Sequence, residues 1–151
     1  MLEPYQYKEC GLDNVFLHNI KVIADANGEK VISIPKVNKL HKAIASGLIV
    51  KNGLLSGKEI RFLRTFLGYT QADFASLLGK DTQTVGRWER EENPQDKTID
   101  ILIRTIVKER TDQKDTVSNV DIASKVSKRS KDQNININCE NANYTYMKKC
   151  A

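Results

Sequence analysis

The chain has 151 residues, 24 basic against 19 acidic, a net charge of +5 and a sequence pI near 9.1. That length holds one ordinary domain or two very small ones, and mild positive charge is compatible with a polyanionic partner without specifying one. The start, Met1 to Tyr7, lacks the basic and apolar regions of a signal peptide, and no apolar run approaches the roughly 20 residues of a membrane helix.

The three cysteines, Cys10, Cys139 and Cys150, are too few and too scattered for a disulfide framework. A cytoplasmic setting is therefore expected. Segment by segment, residues 1–55 carry 7 basic and 5 acidic side chains, 56–107 carry 8 and 8, and 108–151 carry 9 and 6. Any affinity of the middle segment for a polyanion must come from where its charges sit, because its sum is zero.

Residues 1–52 read as a small α+β domain, a dimerisation or partner-binding module. Val22-Ile23-Ala24 and Val31-Ile32-Ser33-Ile34 flank Asn27-Gly28, a dipeptide that favours tight hairpin turns by tolerating positive φ. Phe16 and Leu17 suggest a further strand. Pro35 suits the first turn of a helix, where its missing N–H costs nothing. Val37, Leu40, Ile44 and Leu48 follow at helical spacing, and Gly47 is expected to weaken or end that helix. So few apolar residues cannot hold such a unit alone, so it is expected to lean on a second copy or on the next domain.

Residues 56–107 are punctuated as helices. Ser56-Gly57-Lys58-Glu59 has the form of a capping box, in which two side chains satisfy each other's orphan backbone donors. Ile60, Leu63 and Leu67 follow on one face with Phe62 and Phe66 beside them, and Gly68 closes the helix. Thr70 opens a second helix with Phe74, Ala75, Leu77 and Leu78 as its apolar side, and Gly79 stops it. Asp81 then caps a third, whose inner side is Val85 and Trp88. Two short helices joined by so tight a turn cross steeply, and small Ala75 lets them approach. Asn93-Pro94 breaks the third helix, and Asp96 opens a fourth with an apolar stripe of Ile99, Leu102, Ile103 and Ile106.

With Val85 and Trp88 inside, the third helix presents Thr82, Gln83, Thr84, Gly86 and Arg87 outward. Gln83 and Arg87 are four apart and so share a face. A glutamine amide matches the N6/N7 edge of adenine and an arginine the O6/N7 edge of guanine, each by paired hydrogen bonds in the major groove. Thr70 and Gln71, at a helix start, are candidates for clamping a phosphate. Lys80, Arg90 and Lys97 are candidates for neutralising others.

The run Thr70-Gln71 through Ala75, Gly79 and Thr84-Val85-Gly86-Arg87-Trp88-Glu89 resembles the Cro/CI (XRE-type) helix-turn-helix regulators. More narrowly, Glu59 to Ile106 resembles the C-terminal domain of MqsA-type antitoxins, with Pro94, Thr98-Ile99 and Leu102 fitting as well. The resemblance implies double-stranded DNA as partner, read by an amide and an arginine at positions matching Gln83 and Arg87. The amide here is Gln where the antitoxins carry Asn, so a different base step is expected. It also implies a homodimeric repressor on a palindromic operator, or alternatively an antitoxin that binds a toxin protein and regulates its own operon.

The likeness covers about a third of the chain. The antitoxins' N-terminal zinc module needs two Cys-x-x-Cys pairs, and Cys10 is the only cysteine before residue 139, so that module cannot be built. The start, Tyr7-Lys8-Glu9-Cys10-Gly11-Leu12-Asp13-Asn14-Val15, is similar instead to regulators that place a small non-zinc domain before the same helices.

Other features read blandly. Trp88 is a core residue and Glu89 a structural partner for an arginine such as Arg64. His18 and His41 lack ligands at metal spacing, and no nucleophile set or cofactor motif exists, so neither an enzyme nor a metal or cofactor site is expected. Residues 108–151 are polar with six asparagines. One short helix through Val117, Val120, Ile122 and Val126 is conceivable there, and Lys125 to Lys131 is a solvated basic stretch. The fold class expected is mainly α, a helix-turn-helix domain of four to five helices after a small α+β domain, with a mostly disordered C-terminal tail.

Overall fold

The computed structural model describes residues 3–111, 117–129 and 133–147. These fall into two compact units, one formed by residues up to 47 together with those from 134 onward, the other by residues 48–133.

The first unit is built on a mixed sheet. Strands β1 (Tyr5–Gln6), β2 (Val15–His18), β5 (Ile135–Asn138) and β6 (Thr145–Tyr146) lie in the order β1-β2-β5-β6. β2 pairs antiparallel with β1 and parallel with β5, in a register that sets Val15 beside Ile135 and Leu17 beside Ile137. These four side chains are buried while Phe16, His18, Asn136 and Asn138 are half-buried, the period-2 alternation that a strand imposes. On the second face His18 Nε2 lies 2.8 Å from Asn136 Oδ1.

Helix α1 (Val37–Ile49) packs on this sheet, with Leu40 and Ile44 fully buried. Gly47 does not end the helix. A Cβ there would lie 2.7 Å from the ring of Tyr146 and 3.1 Å from Ile135, so the glycine permits close approach of helix and sheet. Val37, the first residue of the helix, shares the face of Leu40 and Ile44 but is 43% exposed. Pro35 lies two residues before the helix rather than in its first turn.

Strands β3 (Lys21–Ala24) and β4 (Lys30–Ser33) form the expected hairpin as a separate two-stranded sheet, with Val22 opposite Ile32 and Ile23 opposite Val31. Its turn is longer than a two-residue loop. Gly28 alone takes positive φ (78°), its N–H bonds Asp25 O, and the Asp25 carboxylate accepts from the N–H groups of Asn27 and Glu29.

The second unit is helical: α2 (Gly57–Leu67), α3 (Gln71–Leu78), α4 (Thr82–Glu89), α5 (Lys97–Arg110) and α6 (Asn119–Val126). Ser56, Thr70, Asp81, Asp96 and Ser118 cap them, each accepting from a backbone N–H of the first turn, and Ser56 with Glu59 forms the complete capping box. Gly68 and Gly79 close α2 and α3 in the left-handed conformation. The interior is Ile60, Leu63, Phe74, Ala75, Val85, Trp88, Ile99, Ile103, Val107 and Ile122.

Three further expectations need correction. The C-terminal region is not a disordered tail: Asn119–Val126 is a helix with Ile122 and Val126 buried, and Ile135–Asn138 is an inner strand of the sheet. Val120 is 78% exposed, and Lys131 and Cys150 lie outside the described residues.

The predicted stripe on α5 is buried only at Ile99 and Ile103. Leu102 is 37% exposed, and Asp100 and Arg104 are wholly buried. Arg104 pairs with Asp100 (Nε to Oδ1, 2.7 Å) and donates to the carbonyls of Ile49, Lys51 and Gly53, while Asp100 Oδ2 accepts from Leu55 N–H and Gln95 Nε2. A buried guanidinium is tolerable only when its donors are answered in this way. The exposure of Leu77 (46%) is the third difference, since α3 is covered on Phe74, Ala75 and Leu78 alone.

Candidate nucleic-acid interface

The turn between α3 and α4 is Gly79-Lys80-Asp81. The N–H of Lys80 returns to Ala75 O at 2.8 Å, so the chain leaves one helix and enters the next without slack. Asp81 Oδ1 accepts from both the N–H and the hydroxyl of Thr84, each at 2.7 Å. Those two bonds, with a further contribution from Arg87, hold its carboxyl below the usual aspartate range. The anionic cap therefore persists at neutral pH and favours the positive end of α4.

Along α4, Val85 is 0% and Trp88 5% exposed. Burying Val85 alone contributes about 1.5–3 kcal/mol, so the helix cannot roll about its axis without losing that term. At the far end Gly57 lies under the carbonyls of Trp88 and Glu89, and its N–H donates to Glu91 Oε1 at 3.1 Å. Glu89 ties three helices together. It accepts from Arg64 Nε (2.6 Å) and Nη2 (3.0 Å), and from Gln71 Nε2 (3.2 Å). Arg64 also donates to Tyr69 O. α2, α3 and α4 thus hold a fixed relation through one carboxylate whose side chain is only 5% exposed.

The predicted contact residues divide into two sets. Gln83, Arg87, Thr82 and Lys80 are exposed, and none makes a side-chain hydrogen bond to a described residue. They lie together at the start and along the outer side of α4. Thr70 is exposed, but its hydroxyl caps α3. The remaining three are engaged within the protein: Gln71 is half-buried against Glu89, the Thr84 hydroxyl is bonded to Asp81, and Arg90 pairs with Glu92 at 3.1 Å. Arg90 and Glu92 stay more than half exposed, so a phosphate could displace that pairing. Lys97 is exposed at the first position of α5.

The bond from Gln71 to Glu89 was not foreseen. Gln71 stands at a helix start, which suggests an anion contact, whereas its partner lies 18 residues on in another helix. Among the described residues no three His, Cys, Asp or Glu side chains come together as metal ligands would. No helix among them is long and apolar enough to cross a membrane.

Residues 60–106, from within α2 through most of α5, match the helix-turn-helix family model. These residues are a Cro/C1-type helix-turn-helix domain. The match is to the helix-turn-helix family as a whole, so the narrower likeness to MqsA-type antitoxins stands on the sequence run alone. Neither the curated proteins nor the solved structures yield a match to the chain. Within the helix-turn-helix, α4 is the helix that carries Gln83 and Arg87 exposed and without a side-chain hydrogen bond to a described residue.

Proposed function

We propose that this chain is a sequence-specific DNA-binding transcriptional regulator, acting as a dimeric repressor on a palindromic operator. One observation carries the reading: α4 is fixed by buried Val85 and Trp88 while Gln83 and Arg87 stand exposed on its other side, with no side-chain hydrogen bond to a described residue. In this motif the second helix lies in the major groove and its N-terminal residues meet base edges. Gln83 and Arg87 supply the two side chains suited to bidentate contact with adenine and guanine. Thr82 and Lys80 adjoin them, and Thr70, Gln71, Thr84 and Arg90 serve by backbone position or by phosphate contact. The antitoxin alternative rests on the sequence resemblance alone.

A titration of the full chain against a selected operator tests this. Arg87→Ala should weaken binding by about 1–3 kcal/mol and relax preference at one base pair of each half-site. Lys80→Ala should weaken binding evenly across sequences and flatten the salt dependence. An Arg87→Ala protein with unchanged base preference would refute the assignment.

A further inference from the structure

We propose that the outer edge of β3 is the dimerisation surface, pairing antiparallel with β3 of a second copy of this chain. The inference rests on the dimeric reading above and deepens it. A two-stranded ribbon is marginal by itself in water, and this one is uncovered: every residue of β3 and the first two of β4 are exposed. Among the described residues nine large apolar side chains are exposed, and three of them, Val22, Ile23 and Val31, sit together on this hairpin. The others are spread over separate elements or lie beyond its strands.

The hairpin's register selects the edge. Asp25 N–H bonds Glu29 O, and ladder bonds alternate along an antiparallel pair. Ile23 and Lys21 therefore turn their main-chain groups towards β4, while Val22 and Ala24 turn theirs outward. A twofold axis through Ile23 pairs Val22 with Ala24 of the second copy by reciprocal main-chain bonds. It also sets Ile23 against its own copy and Lys21 opposite Asp25, once on each side of the axis.

Opposite charges meet, and no like charges do. On that face Val31, Ile23 and their copies form one continuous apolar row, which the separate ribbon leaves in water. Pairing β4 with itself about Val31 instead sets Lys30 against Ile32 and gives no ion pair. β3 is also the more exposed strand.

Two variants of the full chain test this. In the proposed pairing Ile23 faces its copy at a non-hydrogen-bonded position, where Cα atoms are close enough for a disulfide. Ile23→Cys should form a covalent dimer under mild oxidation, whereas the parent chain, with its own cysteines, and Val31→Cys, which would meet its copy only if β4 paired with itself, should not. Ala24→Pro removes an outward N–H and spares the hairpin's own ladder, so it should raise the dimer dissociation constant at least about tenfold in sedimentation equilibrium.

Failure of Ile23→Cys to cross-link, or preferential cross-linking through Val31→Cys, overturns the β3 pairing. Binding of a duplex carrying a single half-site, measured on the same preparations, separates the two readings. Sequence-specific half-site binding without cross-linking sinks the interface alone, whereas cross-linking without base preference sinks the DNA-reading function.

Discussion

Glu89 and Gly57 show how single residues set the orientation of α4. The carboxylate of Glu89 draws Arg64 and Gln71 onto one point, and the absent side chain of Gly57 lets the start of α2 lie against the end of α4. A methyl group at 57 would fall 2.4 Å from Trp88 O and 2.7 Å from Glu89 O, backbone atoms that cannot swing aside. Gly57→Ala should therefore destabilise the second unit by about 1–3 kcal/mol, seen as a lower denaturant midpoint. An unchanged midpoint would show that the helices are not held where the structure places them. Glu89 with Arg64 was legible in the sequence. The burial of Arg104 was not, because Asp100 and Arg104 four apart look like an exposed helical ion pair. The carbonyls that bury the guanidinium lie about 50 residues earlier in the chain.

At the level of elements, the helices were readable because each carries its own punctuation. Ser56, Thr70, Asp81 and Asp96 cap as their positions suggest, and Gly68 and Gly79 end helices where expected. Asp81 matters most for function, since it anchors the start of α4 through both bonds to Thr84. Asp81→Ala should cost about 1 kcal/mol of stability and should fray the turn that carries Thr82 and Gln83. The check is thermal unfolding alongside amide exchange at Thr84, whose protection should fall in the variant and would stay unchanged if the cap were incidental. β5 shows the opposite case. Asn134-Ile135-Asn136-Ile137-Asn138 alternates strictly, which is a strand signal, yet asparagine is poor in strands and the surrounding polarity suggested a tail. What fixes that segment is its partner β2, more than 100 residues earlier, and no local pattern reports such a pairing.

Over the whole molecule, the chain begins one unit, builds the helical unit, and returns to complete the first. β5 is an inner strand with neighbours on both sides, and Ile135 and Ile137 are buried. A chain ending at Arg129 should thus lose the sheet of the first unit while the second keeps its cooperative melt. Loss of the strand signal in circular dichroism, with retained near-ultraviolet signal from Trp88, would show this. An intact first unit after that truncation would contradict the parallel pairing of β2 with β5. The long return also explains why the sequence suggested separate consecutive domains: a strand supplied from the far end is invisible to any segment-by-segment reading.

The account turns on α4 presenting Gln83 and Arg87 to base edges, and selecting bound sequences from random DNA tests that most directly. The wild-type chain should recover a palindrome whose half-sites lie about one helical turn, roughly 34 Å, apart. Arg87→Ala and Gln83→Ala should each recover the same spacing with information lost at a different base pair. Recovery of an identical motif by all three proteins, or of no motif by any, would contradict it.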